Sequence, residues 1–237
     1  MIKDFLRSAD REFEAILHSV FGNDLGYLLS KGLLETLYMV QFSVIFAVLF
    51  GLPLGVLLTI TRQDSIKPAP LFNKILGWIV NMVRSFPFMV LILVLLPFSG
   101  ALIGMSTGST AAIIALSIAA IPFIARLFEG ALLEVPKDLI EATQSMGASN
   151  FTIIKMMLCE CKPALANAIV ITSISLVGYS AMAGIVGGGG LGDLAYRIGF
   201  QSFKPDVLLY AVIVTMILVQ LIQSSGDFIV KILRANR

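Results

Sequence analysis

The chain has 237 residues, 57% hydrophobic and only 14% charged, with a formal net charge of +2 and a mean hydropathy of +0.92. Soluble domains carry about a quarter of their residues as charged side chains, so an ordinary soluble fold is excluded. The polypeptide reads as an integral membrane protein, with no nucleic-acid partner expected.

The first 31 residues mix both charge signs with apolar residues at Ile2, Phe5, Leu6, Phe13, Ile16, Leu17 and Val20. That spacing suits an amphipathic helix lying on the membrane or on a neighbouring helix, and an ordinary surface helix would look the same. The segment lacks the uninterrupted apolar core of a signal peptide. His18, the single histidine, has no His or Cys nearby to complete a metal site.

No Asp, Glu, Lys or Arg occurs in 36–61, 85–125, 163–192 or 207–226. A membrane-spanning helix needs roughly 20 apolar residues. The first, third and fourth blocks each hold one span. The second holds two, divided by the polar, glycine-rich stretch 99–110. Gly51 and Gly55 in the first span form G-x-x-x-G around Pro53, a contact surface either within the subunit or between two copies. The expected fold class is therefore an all-α membrane protein of five transmembrane helices. With the N-terminus outside, eleven Lys and Arg fall on the cytoplasmic side and six on the outer side, which favours N-out and C-in. Arg84 is the weak point of that count, because the apolar "GWIVNMVR" allows the second span to start earlier and carry Arg84 at its inner end.

Between the third and fourth spans, residues 126–163 are too structured for a linker. Pro136 suits the start of a short helix, Gly147 its C′ position, and Ser149 or Asn150 the cap of a second helix. A short amphipathic helix on the cytoplasmic side can act as a handle for a soluble partner, or be a surface turn. Cys159 and Cys161 lie on the same side, where a disulfide is disfavoured and two thiols do not complete a zinc site. They read as packing residues.

The fourth span carries Thr172, Ser175, Tyr179 and Met182 on one helical face, with Ser180 beside them. This face could line a path for a neutral or zwitterionic solute with an apolar side chain. Alternatively, its hydroxyls could bond within the helix or to a neighbour. The run Gly187, Gly188, Gly189, Gly190 and then Gly192 satisfies G-x-G-x-x-G, but no strand precedes it, as a dinucleotide site requires. "GLGD" ending at Asp193 resembles the motif of intramembrane aspartyl proteases, yet no span offers a second carboxylate, so no catalytic residue is assigned. No phosphate-binding P-loop occurs. What remains is backbone geometry: a loop at the outer mouth of a pathway, or a flexible turn between spans. The charge-free spans also hold no side chain to carry a coupling ion or proton, so the driving force should come from another polypeptide.

"EATQSMG", Glu141 to Gly147, resembles the E-A-A-x-x-x-G coupling motif of ABC importer permeases. "GLPLGVLLTITR" (51–62), "RSFPF" (84–88), "AAIPFIARLFEGALLEVP" (119–136), "LIEATQSMGAS" (139–149), "LVGYSAMAGIVGGGGLGDLAYRIGF" (176–200) and "IQSSGDFIVK" (222–231) further resemble the methionine-importer permeases. The resemblance implies an importer transmembrane domain over 32–231 with a cytoplasmic tail at 232–237. It also implies a coupling helix around Glu141, Ala142 and Gly147 that docks on an ATPase. By the same resemblance two copies form a pore above two ATPase subunits, which bind ATP and Mg, and beneath a substrate-binding protein. The resemblance further implies that this chain binds no cofactor or metal and catalyses nothing, and that it lies in a bacterial cytoplasmic membrane. A permease for another small amino acid is the nearest alternative, and an intramembrane enzyme built around Asp193 is one of a different class. Two departures stand out: "MLCE" (157–160) replaces the family's I-x-L-P continuation, and the N-terminal extension is long.

Overall fold

The computed structural model describes residues 23–235, with side chains from Leu25 onward. The expected N-terminal amphipathic segment and His18 lie mainly outside them. All regular structure in the described residues is helical, as the hydropathy pattern requires: without water to satisfy the backbone, a spanning segment must close its own hydrogen bonds.

α1 (Asn23–Ile60) is a single 38-residue helix, about 57 Å long at 1.5 Å per residue, and it runs without interruption through the expected boundary at residue 31. α2 (Pro70–Ser85) and α3 (Phe88–Ile103) follow, their axes bent by 100° at Phe86–Pro87. Proline lacks the amide that would continue the helix and drives the preceding residue to extended backbone; Phe86 accordingly has φ −72° and ψ 132°. Four described helices are long and apolar enough to cross a membrane, and five spans result if the bent pair counts as one. The break expected over 99–110 is shorter, since α3 continues to Ile103 and ends on Gly104 at φ 72°. Ser99 is buried, with its hydroxyl 3.1 Å from the carbonyls of both Leu95 and Ala111.

α4 (Ser109–Leu133) is the hub. Within its apolar span 61% of residues are buried, against 17% for the last helix, α9 (Pro205–Ala235). Small residues explain this position. Ala111, Ala112, Ala115, Ala120 and Ala125 let neighbours approach, and Gly51 and Gly55 of α1 lie directly on α4. A Cβ on Gly55 would stand 2.8 Å from the Ala125 carbonyl oxygen, and one on Gly51 would overlap the Ile124 side chain. The G-x-x-x-G contact therefore lies within the subunit. α7 (Lys162–Ala183) packs on α1, α4 and α9, while apolar residues such as Leu49, Phe50, Leu93, Val94, Met216 and Leu221 point outward, as a lipid-facing surface would have them.

A second, small core of Leu132, Val135, Ile153, Met157 and Cys161 lies beneath the main one. It seats the hairpin of α5 (Lys137–Ser145) and α6 (Asn150–Glu160). Cys161 is thus a packing residue, whereas Cys159 is exposed.

Candidate transport pathway and coupling surface

The α5–α6 hairpin is built by local signals. Pro136 precedes α5, Gly147 follows it at φ 75°, and the Gly147 amide donates to the Gln144 carbonyl at 2.8 Å. The Ser149 hydroxyl accepts the Thr152 amide and caps α6. Ile140 rests on the small core and Thr143 is buried, but Glu141, Ala142, Gln144, Ser145 and Gly147 are exposed. Met146 and Phe151 at the turn are 78% and 77% exposed, a large apolar presentation for so polar a hairpin.

The face of α7 divides. Thr172 and Ser180 are buried against the protein, their hydroxyls donating to the carbonyls of Ala168 (2.8 Å) and Val177 (2.7 Å); Ser175 donates to Ile171 at 2.9 Å. All three hydroxyls are engaged by their own helix. Tyr179 and Met182 instead line a cavity of about 380 Å³, together with Arg84, Phe86, Phe88 and Phe123. The Tyr179 ring stacks on Phe88 with centroids 4.5 Å apart.

The glycine run is a helix break held from several sides. α7 gives way to a π-helical turn at Gly184–Gly188, a short α8 (Gly190–Asp193) and a π-helical stretch at Leu194–Gln201. Gly187, Gly189 and Gly190 have φ of 87°, 79° and 81°, values at which a side chain would be strained. The Gly187 carbonyl accepts the Gly108 amide at 2.8 Å. The Glu35 carboxylate accepts the Gly190 amide at 2.7 Å, and the Thr36 hydroxyl accepts the Leu191 amide at 2.9 Å while donating to the Gly32 carbonyl. Gly192 lies so close to Ala181 that an added Cβ would overlap its backbone. Asp193 pairs with Arg197 at 2.9 Å across one turn.

Glu35 and Thr36 were not singled out by sequence reasoning. The available signal was a carboxylate at the edge of a charge-free span, costly in a membrane unless partnered. A second cluster was also missed. Glu129, buried near the end of α4, pairs with Arg126 and lies 3.8 Å from Arg62, while Arg126 also donates to the Gly77 carbonyl at 2.9 Å. The R-x-x-E spacing in "ARLFEG" was its trace, an i, i+3 pair on one helix face. This cluster ties the chain just past the end of α1 and the C-terminal part of α4 to the middle of α2, a few residues before the α5–α6 hairpin.

Among the described residues no group of three His, Cys, Asp or Glu could hold a metal ion.

Residues 51–236 match the family described as "Binding-protein-dependent transport system inner membrane component". The chain is 47% identical over 198 residues to the probable D-methionine transport system permease protein MetI of Vibrio cholerae serotype O1, covering 83% of this chain and 88% of that protein. It is 46% identical over 200 residues to the methionine import system permease protein MetP of Bacillus subtilis, covering 84% and 90%. Among solved structures, a chain of the MetNI methionine ABC transporter in inward-facing conformations superposes with a TM-score of 0.86 at 44% identity, over 87% of this chain and 96% of that one. An amino acid ABC transporter crystallised with histidines has the same fold, at a TM-score of 0.67 and 18% identity. The relatives are named as permeases, transport components rather than catalysts, and this chain is likewise non-catalytic. The chain belongs to the family of binding-protein-dependent transport system inner membrane components, as a multi-pass permease of the inner membrane.

Proposed function

We propose that this chain is the permease of an ATP-driven methionine importer. The observation that carries the reading is identity of nearly one half to methionine permeases over more than four fifths of both chains, including the coupling hairpin. Two copies would enclose the pathway. Two ATPase subunits, binding ATP and Mg, would dock on α5 through Glu141 and Ala142, with Gly147 setting the helix exit. A substrate-binding protein would deliver solute on the opposite side, beside the Gly187–Gly192 break. ATP-driven closure of the ATPase pair would then rock the spans between inward-facing and outward-facing states. Tyr179 and Met182 would contact the solute. Thr172, Ser175 and Ser180 would set the shape of α7 beneath it, since a hydroxyl bonded to its own helix offers little to a passing solute.

The bent α2–α3 pair counts as one span in this reading, giving five spans with the N-terminus outside. The excess of Lys and Arg on the hairpin side supports that orientation. In a background without Cys159 and Cys161, a cysteine at exposed Ser106 should label with an impermeant thiol reagent from outside, and one at Ser145 only from the cytoplasm. Reversed labelling would overturn the orientation and the coupling role together.

The functional test is reconstitution with the ATPase and the binding protein. ATP hydrolysis stimulated by loaded binding protein, with uptake of methionine in preference to alanine or glutamine, is the expected result. Equal uptake of the three would refute the substrate assignment.

A further inference from the structure

The break between α2 and α3 brings a cation into the cavity. Arg84 lies in the last turn of α2, and by charge counting it belongs to the cytoplasmic edge. Its guanidinium instead stands 5.9 Å from the centroid of the Phe123 ring. Phe123 sits just past the middle of the 25-residue α4, between the glycine break at one end of the bundle and the coupling hairpin at the other. No carboxylate among the described residues pairs with Arg84, and none lines the cavity. Arg84 is exposed at the bend, so its charge is open to the cavity, and a cation facing a cavity within a membrane domain marks a functional site by default.

Three further features converge on the same point. α3 begins at Phe88 with Pro87 at its N-cap and no side-chain cap, so the uncapped end of a 16-residue helix opens at the break. Amides at such an end favour an anion, as the half-helices of transporters do. The irregular backbone at Phe86–Pro87 lines the cavity, one of the two settings, with burial in protein, in which a bilayer tolerates it. Beyond the cation the wall is aromatic and thioether: Phe88 stacked on Tyr179, with Phe86, Phe123, Met89 and Met182 around them. Such a surface adapts to a flexible, polarisable side chain.

We propose that Arg84, with the N-terminal end of α3, binds the carboxylate of the transported amino acid while the Phe88–Tyr179–Met182 wall receives its side chain. The assignment rests on the methionine reading above and adds to it the carboxylate-binding group. No acidic side chain among the described residues lines the cavity to hold the solute's amino group, so the recognition proposed here is of the carboxylate and the side chain.

The test is saturation-transfer NMR on the assembled permease–ATPase complex without binding protein, using methionine and methioninol, in which an alcohol replaces the carboxylate. The wild-type complex should bind methionine about tenfold more strongly, the loss expected for a charge-assisted hydrogen bond. Arg84→Gln should abolish that preference. Arg84→Lys, which keeps a point charge but not the planar fork, should retain part of it. Equal binding of the two compounds by the wild type overturns the proposal without needing any variant to fold. A preference that survives in Arg84→Gln also overturns it, and is the result expected if Arg84 pairs with a second copy instead. Uptake separates the two levels: a wild-type complex that does not import methionine refutes the importer assignment, whereas import without a carboxylate preference at this site refutes only the role of Arg84.

Discussion

The coupling hairpin and the glycine break sit at opposite ends of the bundle and are built on opposite principles. α5 and its exit present Glu141, Ala142, Ser145 and Met146 outward, and only Ile140 and Thr143 turn towards the protein, so most of these side chains do little for the fold of this subunit. Around Gly184–Asp193, by contrast, backbone amides are claimed by Glu35 and Thr36, and Gly188 and Gly192 have no room for a Cβ. The first region leaves most of its side chains exposed; the second is determined by its own neighbours. Substitutions should therefore separate them, with the hairpin losing coupling at little cost in stability and the break losing stability along with transport.

The largest effect is expected from Gly190→Val. The residue has φ 81°, and its Cβ would stand 2.7 Å from the Thr36 hydroxyl and 2.8 Å from the Met39 methyl. Left-handed backbone costs about 1–2 kcal/mol for a side chain, and overpacking adds about 1–3 kcal/mol. Uptake should vanish and the detergent-solubilised complex should melt well below wild type. A normal melting curve would show that the break is not constrained by its neighbours.

Gly147→Leu should come next. No atom lies within 4 Å of a Cβ built there, so the penalty is the backbone strain at φ 75° alone. Uptake and stimulated ATP hydrolysis should fall about tenfold, within the range of an ordinary coupling free energy, while the melting temperature falls by only a few degrees, the strain cost without the overpacking. A loss of stability as large as that of Gly190→Val would remove the distinction between the two regions.

Glu35→Ala leaves the Gly190 amide without its acceptor, a loss of about 1–3 kcal/mol for a buried donor. A reduced melting temperature with partial uptake is expected, and Glu35→Gln, which keeps an acceptor oxygen, should recover most of both. If the Gln variant were as impaired as Ala, the charge rather than the hydrogen bond would be the operative feature.

Asp193→Asn should have the smallest effect. Arg197 is 66% exposed in the Asp193 pair, and exposed pairs contribute about 0–1 kcal/mol. Uptake per assembled complex should remain near wild type. Complete loss, with Gly190→Val tolerated, would restore a chemical role for the aspartate.

The local features were legible in the sequence. Charge-free blocks marked the four helices long and apolar enough to cross a membrane, because such a helix needs no tertiary information to be recognised, whereas the bent α2–α3 pair begins outside its block and carries Lys74 and Arg84. Pro136, Gly147 and Ser149 marked the ends of the hairpin helices, because capping is settled within a few residues. The Asp193–Arg197 pair is likewise a local one, since i, i+4 spacing brings the two side chains together within one turn. Contacts between distant segments were not legible. The sequence left Gly51 and Gly55 free to pack within or between subunits, and only the apposition of α1 and α4 placed them inside. Thr172 and Tyr179 shared a predicted face, but the packing of α7 turned the first into the protein and the second towards the cavity. Glu35 meets Gly190 across 155 residues, a pairing no local pattern encodes. Arg84 counted as a cytoplasmic charge until the bend at Pro87 carried it to the level of Phe123. Periodicity fixes which residues can share a helix face, whereas the partner of that face depends on how helices distant in the chain come together.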